Sequence, residues 1–153
     1  MLDLLIINGH VIDPANQTDG IQPVAIYNGE IVPYEEGESA RHTIDAAGKY
    51  VFPGLIDSHA HMFTEGTDIG CYPDLAYLPT GVTSAVDATA GVSNYRMFRS
   101  AIIERSKVTI KSFLQMCSAG LATTSYHENI NPKYFNPEKI ARIYHENKDN
   151  ILG

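Results

Sequence analysis

The chain has 153 residues, of which 44% are apolar and 19% charged, with 11 Lys and Arg against 18 Asp and Glu for a formal net charge of −7. There is material for one domain or part of a larger one, and too little charge for a disordered or coiled-coil chain. The acidic balance excludes a sequence-independent nucleic-acid binder, which needs a basic face, and no apolar run is long enough to span a bilayer.

Residues 1–50 read as short strands joined by turns. Leu4–Ile7 is apolar, Asn8-Gly9 follows, and Val11-Ile12 resumes the pattern. Asn-Gly between such runs is the strongest short signal for a type I′ hairpin, because both turn residues need positive φ. The pattern recurs at Val24–Tyr27, Asn28-Gly29 and Glu30–Val32. Asp13-Pro14 and Val32-Pro33 close the two units, since Pro gives nothing to a strand ladder. A further strand is expected over Thr43–Ala46, stopping at Ala47-Gly48.

From residue 51 the pattern changes. Tyr50-Val51-Phe52 and Pro53-Gly54 lead into a strand at Leu55–His61, then a polar, Gly-rich loop from Thr64 to Tyr72. Val82–Ala88 reads as the next strand. Asn94 to Arg105 reads as a helix with Ser93 as its cap and Phe98, Ala101 and Ile102 on one face. Val108–Cys117 is expected as a strand and 118–135 as a long loop. Asn136-Pro137-Glu138 starts a helix: a cap, Pro at the first helical position and an acid near the positive dipole end. Ile140, Ile143 and Tyr144 form its expected buried stripe, and Ile151-Leu152 begins another strand. Strands alternating with helices imply βαβ units and a parallel sheet, whose functional loops follow the strands. Cys71 and Cys117 form no Cys-x-x-Cys and read as small hydrophobes. Met1 to Ile7 carry no basic n-region or small-residue cleavage site, so a cytoplasmic chain is expected.

His59 and His61 stand two apart at the end of an apolar strand, so both imidazoles are expected on one side. Converging neutral imidazoles chelate a divalent metal such as zinc, although His-x-His also suits iron, nickel or manganese. Two imidazoles do not complete a zinc site, which takes three protein ligands when catalytic and four when structural. Asp57 shares their parity and is placed to orient a ligand or fill a polar interior position. Asp87 ends the next strand on the same side, as a polar interior residue or a partner behind a ligand. His127 and Glu128 fall in the long loop after the third strand, as substrate contacts or a solvated loop segment. Tyr72 and Tyr77 are expected to pack. His10 and His42 fall in the β-rich region and His145 on a helix, where it reads as solvated.

Pro53 through His61 resembles the strand-1 motif of the amidohydrolase superfamily. The flanks agree in order: Leu4–Pro14 resembles that family's opening hairpin, Ile44–Gly48 its approach to the barrel, and Gly81-Val82-Thr83 its second strand. Gly81–Ala88 with Gly91, Tyr134–Glu138 and Asn150–Gly153 are similar to the amidohydrolase/deacetylase branch related to dihydroorotases.

The resemblance implies an α/β fold: a partial (β/α)8 TIM barrel, about strands 1–3 and the start of 4, over residues 51–153. Part of a small β-sandwich, residues 1–50, precedes it. It implies one or two divalent ions, usually zinc, with His59 and His61 as metal ligands. It further implies a bridging lysine on strand 4, histidines on strands 5 and 6 and an acid/base aspartate on strand 8. These have no counterparts in this sequence, and such a barrel takes about 250 residues. The expectation is therefore an N-terminal portion of a metal-dependent hydrolase, inactive alone. The whole would act on an amide, ester or cyclic amide of a small acylated or cyclic-amide substrate. Alternatives are a dihydroorotase-like cyclic amidase, or a non-catalytic assembly or binding module that oligomerises or is completed by a second chain.

Overall fold

The computed structural model describes residues 1–124 and 131–153. Two compact units divide the chain, Met1–Pro53 and Gly54–Gly153.

The first unit holds β1 (Leu2–Ile7), β2 (His10–Asp13), β3 (Thr18–Ile21), β4 (Val24–Tyr27), β5 (Glu30–Val32), β6 (Ala40–Asp45) and β7 (Tyr50–Val51). They form a four-stranded sheet in the order β5-β4-β1-β6 and a three-stranded sheet in the order β3-β2-β7. Asn28-Gly29 is a true two-residue hairpin turn. Tyr27 pairs antiparallel with Glu30, and both turn residues have positive φ, 52° and 80°. Asn8-Gly9 is not. Only Asn8 enters the left-handed region, at φ 61°. Without the second positive φ the chain does not fold back; β1 pairs with β4 and β6, and β2 with β3 and β7. The first Asn-Gly thus carries the chain from one sheet to the other. Gly9 is needed there for space, because a Cβ would press on Val51 and Ala46.

The second unit holds β8 (Leu55–Ala60), α1 (Pro73–Ala76), β9 (Val82–Asp87), α2 (Tyr95–Ala101), β10 (Thr109–Ser112) and α3 (Pro137–Glu146). β8, β9 and β10 are parallel neighbours in chain order, and a parallel bridge from Ser112 to Ile151 extends the sheet. Each step is the βαβ arrangement that places helices against a parallel sheet. The core joins Ala85 and Ile110 of the sheet to Tyr95 and Phe98 of α2, Ile143 of α3, and Met62 and Phe63.

Several boundaries differ from expectation for local reasons. β10 is shorter than Val108–Cys117: after Ser112 only an isolated parallel bridge at Gln115, to Gly91, continues the pairing, and Phe113 and Met116 are exposed. Asn94 rather than Ser93 stands at the start of α2, and its side chain makes no cap bond to the helix. The Asn94 carboxamide accepts the Gly91 N–H and donates to the Ala119 carbonyl, while the Ser93 hydroxyl pairs with Ser118. Ala101 is exposed, and Tyr95 with Phe98 forms the buried face instead. α3 begins as expected, its Asn136 side chain accepting the Lys139 N–H at 2.8 Å. Of its apolar stripe Ile143 is buried, Ile140 half-buried and Tyr144 exposed.

Asn150, buried, joins α2, β10 and the segment that bridges at Ile151. Its Oδ1 accepts from the Tyr95 hydroxyl at 2.7 Å and the Ser112 hydroxyl at 3.1 Å, and its Nδ2 donates to the Ile110 carbonyl at 2.6 Å. Burial pushes the Tyr95 hydroxyl up to about 12, keeping it a neutral donor.

Candidate metal centre at the end of the parallel sheet

β8 is not a regular strand where it matters. Asp57 is opposite Ala85 and Ala60 opposite Asp87, so β8 spends three residues where β9 spends two. This is a bulge at Ser58-His59, and bulges characteristically re-aim a side chain and leave a backbone group without its ladder partner. Here the Asp57 carboxylate accepts the His59 N–H at 3.0 Å. Asp57 thus pins the bulge through the backbone of His59. Its second partner is the Tyr77 hydroxyl, which burial first, then the hydrogen bond and charge of Asp57, push up to about 12. Tyr77 packs against the core as expected. Tyr72 does not; it is exposed and donates to Glu65 at 3.2 Å.

His61 lies one residue beyond the strand. The His59 and His61 rings meet edge to face, 5.2 Å between centroids and 80° between planes. The two imidazoles therefore converge despite the bulge. His61 is half-buried and His59 exposed.

Behind His61 is a polar chain that ends on Asp87. Asp87 and Thr89 are fully buried. The carboxylate accepts the Met62 N–H at 2.6 Å, the Thr89 N–H at 2.7 Å and the Thr89 hydroxyl at 2.9 Å. Thr89 Oγ1 in turn lies 3.1 Å from His61 Nδ1. Burial raises the Asp87 carboxyl above its ordinary value, opposed by the backbone N–H groups of Met62 and Thr89, the Thr89 hydroxyl and the nearby His61. Asp87 is thus the polar residue behind a candidate ligand that its strand position suggested. Thr89 is the member sequence reasoning missed. The available signal was parity, since Thr89 continues the face of Asp87 two residues on.

The loops after β9 and β10 are packed backbone to backbone. A Cβ on Gly91 would fall on the Cys117 carbonyl and the Gly120 amide, and one on Gly120 would fall on the Thr89 carbonyl. The Leu121 N–H donates to that carbonyl at 2.9 Å. The loop carrying Thr89 is held from both sides.

His10 pairs with Asp19 in β3, His42 is exposed on β6, and His145 is exposed on α3. His127 and Glu128 lie outside the described residues. Among the described residues, no group of three or more His, Cys, Asp or Glu could hold a metal ion. The donor set still fits two ligands of a divalent ion, because the rings converge and the second nitrogen of His61, Nε2, is left clear of the Thr89 contact.

A parallel α/β sheet with paired imidazoles at the end of a strand and a carboxylate behind one of them is the frame of a sheet-end catalytic or binding centre. The profile of the amidohydrolase family matches residues 42–129. A deacetylase of Agrobacterium fabrum is 40% identical over 112 residues, 72% of this chain and 28% of that protein. A dihydroorotase of Elusimicrobium minutum is 42% identical over 66 residues, 42% of this chain and 15% of that protein. A crystal structure of a dihydroorotase superposes with a TM-score of 0.88 at 29% identity, covering 100% of this chain and 42% of that one. The chain belongs to the amidohydrolase family, and its α/β fold matches that of a dihydroorotase. It spans less than half the length of these relatives.

Proposed function

We propose that these residues form the first part of a metal-dependent amidohydrolase or deacetylase. In this reading 1–50 belong to a small β-sandwich and 51–153 are the first βα units of a TIM barrel. The observation that carries it is the convergence of the His59 and His61 rings at the end of the first parallel strand. Relatives named deacetylase and dihydroorotase support a small acylated or cyclic-amide substrate. A bound zinc-like ion supplies a water of lowered pKa and polarises the scissile carbonyl. His59 and His61 hold that ion. Asp57 sets the direction of His59 by fixing the bulge, and the core under Met62 and Phe63 keeps the strand end rigid.

Two imidazoles fall short of the three protein ligands of a catalytic zinc. The remaining ligands and the general acid/base are assigned to residues outside 1–153 or to a completing chain, and the 153 residues alone turn over no substrate. In a protein carrying these residues at the relatives' full length, His59→Ala and His61→Ala each lower zinc affinity by more than the roughly 10–100-fold typical of outer partners. Amidase or deacetylase turnover falls with it. Unchanged zinc content and turnover in both variants, measured by metal analysis and a steady-state assay, refute the reading.

A further inference from the structure

We infer that Thr89 is a positioning residue that locks the tautomer of His61, with its proton on Nδ1 and the lone pair of Nε2 presented outward. Both oxygens of Asp87 receive backbone N–H groups, Oδ2 from Met62 and Oδ1 from Thr89, and a backbone N–H can only donate. Ionised, with these N–H groups favouring the charged form, the carboxylate only accepts. The Thr89 hydroxyl has a single proton, and at 2.9 Å from Oδ2 it gives that proton to Asp87. Toward His61 the hydroxyl oxygen has only lone pairs left, so the contact at 3.1 Å requires His61 Nδ1 to be the donor.

Thr89 and Asp87 have no exposed surface, so water does not replace the hydroxyl or reverse its direction. The interposed hydroxyl also changes what reaches the ring. A carboxylate touching Nδ1 directly would place a full charge against the imidazole. Through Thr89 the ring receives a fixed orientation and a polarised acceptor, which raises the basicity of the opposite nitrogen. Parallel pairing places the device: Ala60 is opposite Asp87, and the Ala88 N–H donates to the Ala60 carbonyl at 3.0 Å, so the residue after Ala60 comes level with Thr89. The purpose of the lock rests on the metal-centre reading above, whereas the tautomer stands on the hydrogen bonds alone.

The test is heteronuclear NMR of the metal-free 153-residue chain with 15N-labelled histidine at a mildly alkaline pH. His61 is expected as the Nδ1–H tautomer. Thr89→Val keeps the shape, removes the hydroxyl, and shifts His61 toward the Nε2–H form that free histidine favours. Thr89→Ser keeps the hydroxyl and restores the native tautomer. Zinc titration of the same three proteins at the relatives' full length, where the remaining ligands are present, should show affinity reduced about 10–100-fold by Thr89→Val and recovered by Thr89→Ser. Wild-type His61 in the Nε2–H form overturns the proposal whatever the variants do, and so does a folded Thr89→Val chain with an unchanged tautomer. A native Nδ1–H signal with no zinc binding in any of the three proteins at full length supports the lock and counts against the metal reading.

Discussion

Asn150→Asp changes one atom and reverses one hydrogen bond. The new carboxyl still accepts from Tyr95 and Ser112, but the atom facing the Ile110 carbonyl, 2.6 Å away in the native chain, is now an oxygen. Two acceptors meet in a buried place. The cheaper escape is for the introduced carboxyl to take a proton and donate it to Ile110. Holding a carboxyl protonated at pH 7 against an ordinary value near 3.9 costs about 4 kcal/mol. This caps the destabilisation, and the expected loss at pH 7 is about 3–4 kcal/mol. The sign of the pH dependence follows from the proton count. The folded variant binds a proton that the unfolded chain releases, so the penalty grows as pH rises above the unfolded value. Its slope is about 1.4 kcal/mol per pH unit. Between pH 7 and pH 5 the gap from wild type therefore narrows by about 2.7 kcal/mol. Urea unfolding of both proteins at the two pH values, followed by far-UV circular dichroism, measures it. A loss below about 1 kcal/mol at pH 7, or one that does not change with pH, would refute this account of Asn150.

Gly91→Ala forces a methyl group into the Cys117 carbonyl and the Gly120 amide, and is expected to cost about 3 kcal/mol or more by urea unfolding; a loss under about 1 kcal/mol contradicts the backbone-to-backbone packing of these loops. Arg99 grips Asp149 with two nitrogens and also reaches Glu104, which holds the Asp149 carboxyl below its ordinary value and the guanidinium well above its own. A depressed carboxyl stabilises the fold above its unfolded value and loses that contribution as pH falls through the folded one. The stability gap between wild type and Arg99→Met is therefore constant near neutrality and closes in acid below about pH 4. An acid titration of the two proteins by urea unfolding checks this, and a gap that persists unchanged at low pH contradicts it.

The parallel unit was legible because its signals are local and redundant. Alternating apolar runs, Asn136-Pro137 and the paired histidines each imply the same order of elements, and α3 starts where its cap requires. The two Asn-Gly dipeptides show where such reading stops. Asn28-Gly29 makes the turn its composition implies, while Asn8-Gly9, with the same side chains, passes between sheets. What separates them is tertiary: a close approach of Val51 to Gly9 that no dipeptide encodes. The convergence of His59 and His61 was readable from spacing, yet the strand carries a bulge there that the alternation rule does not foresee. Ser93 and Asn94 are both good caps by type, yet Asn94 turns its side chain to the Gly91 N–H and the distant Ala119 carbonyl instead of the helix. Parity put Thr89 on the face of Asp87 but did not show its partner His61. Its role exists only once β9 is set beside β8.

The order β5-β4-β1-β6 also dictates a sequence of events in time. β4 and β5 need only close a two-residue turn, an event of about 1–10 μs. β1 sits between β4 and β6, so it has to be met by strands that follow it much later in the chain, one antiparallel and one parallel. Loop-closure entropy must be overcome before those contacts return anything. The small hairpin is thus a natural seed of this sheet, and the earliest strand of the chain gains both neighbours only once β6 has been made.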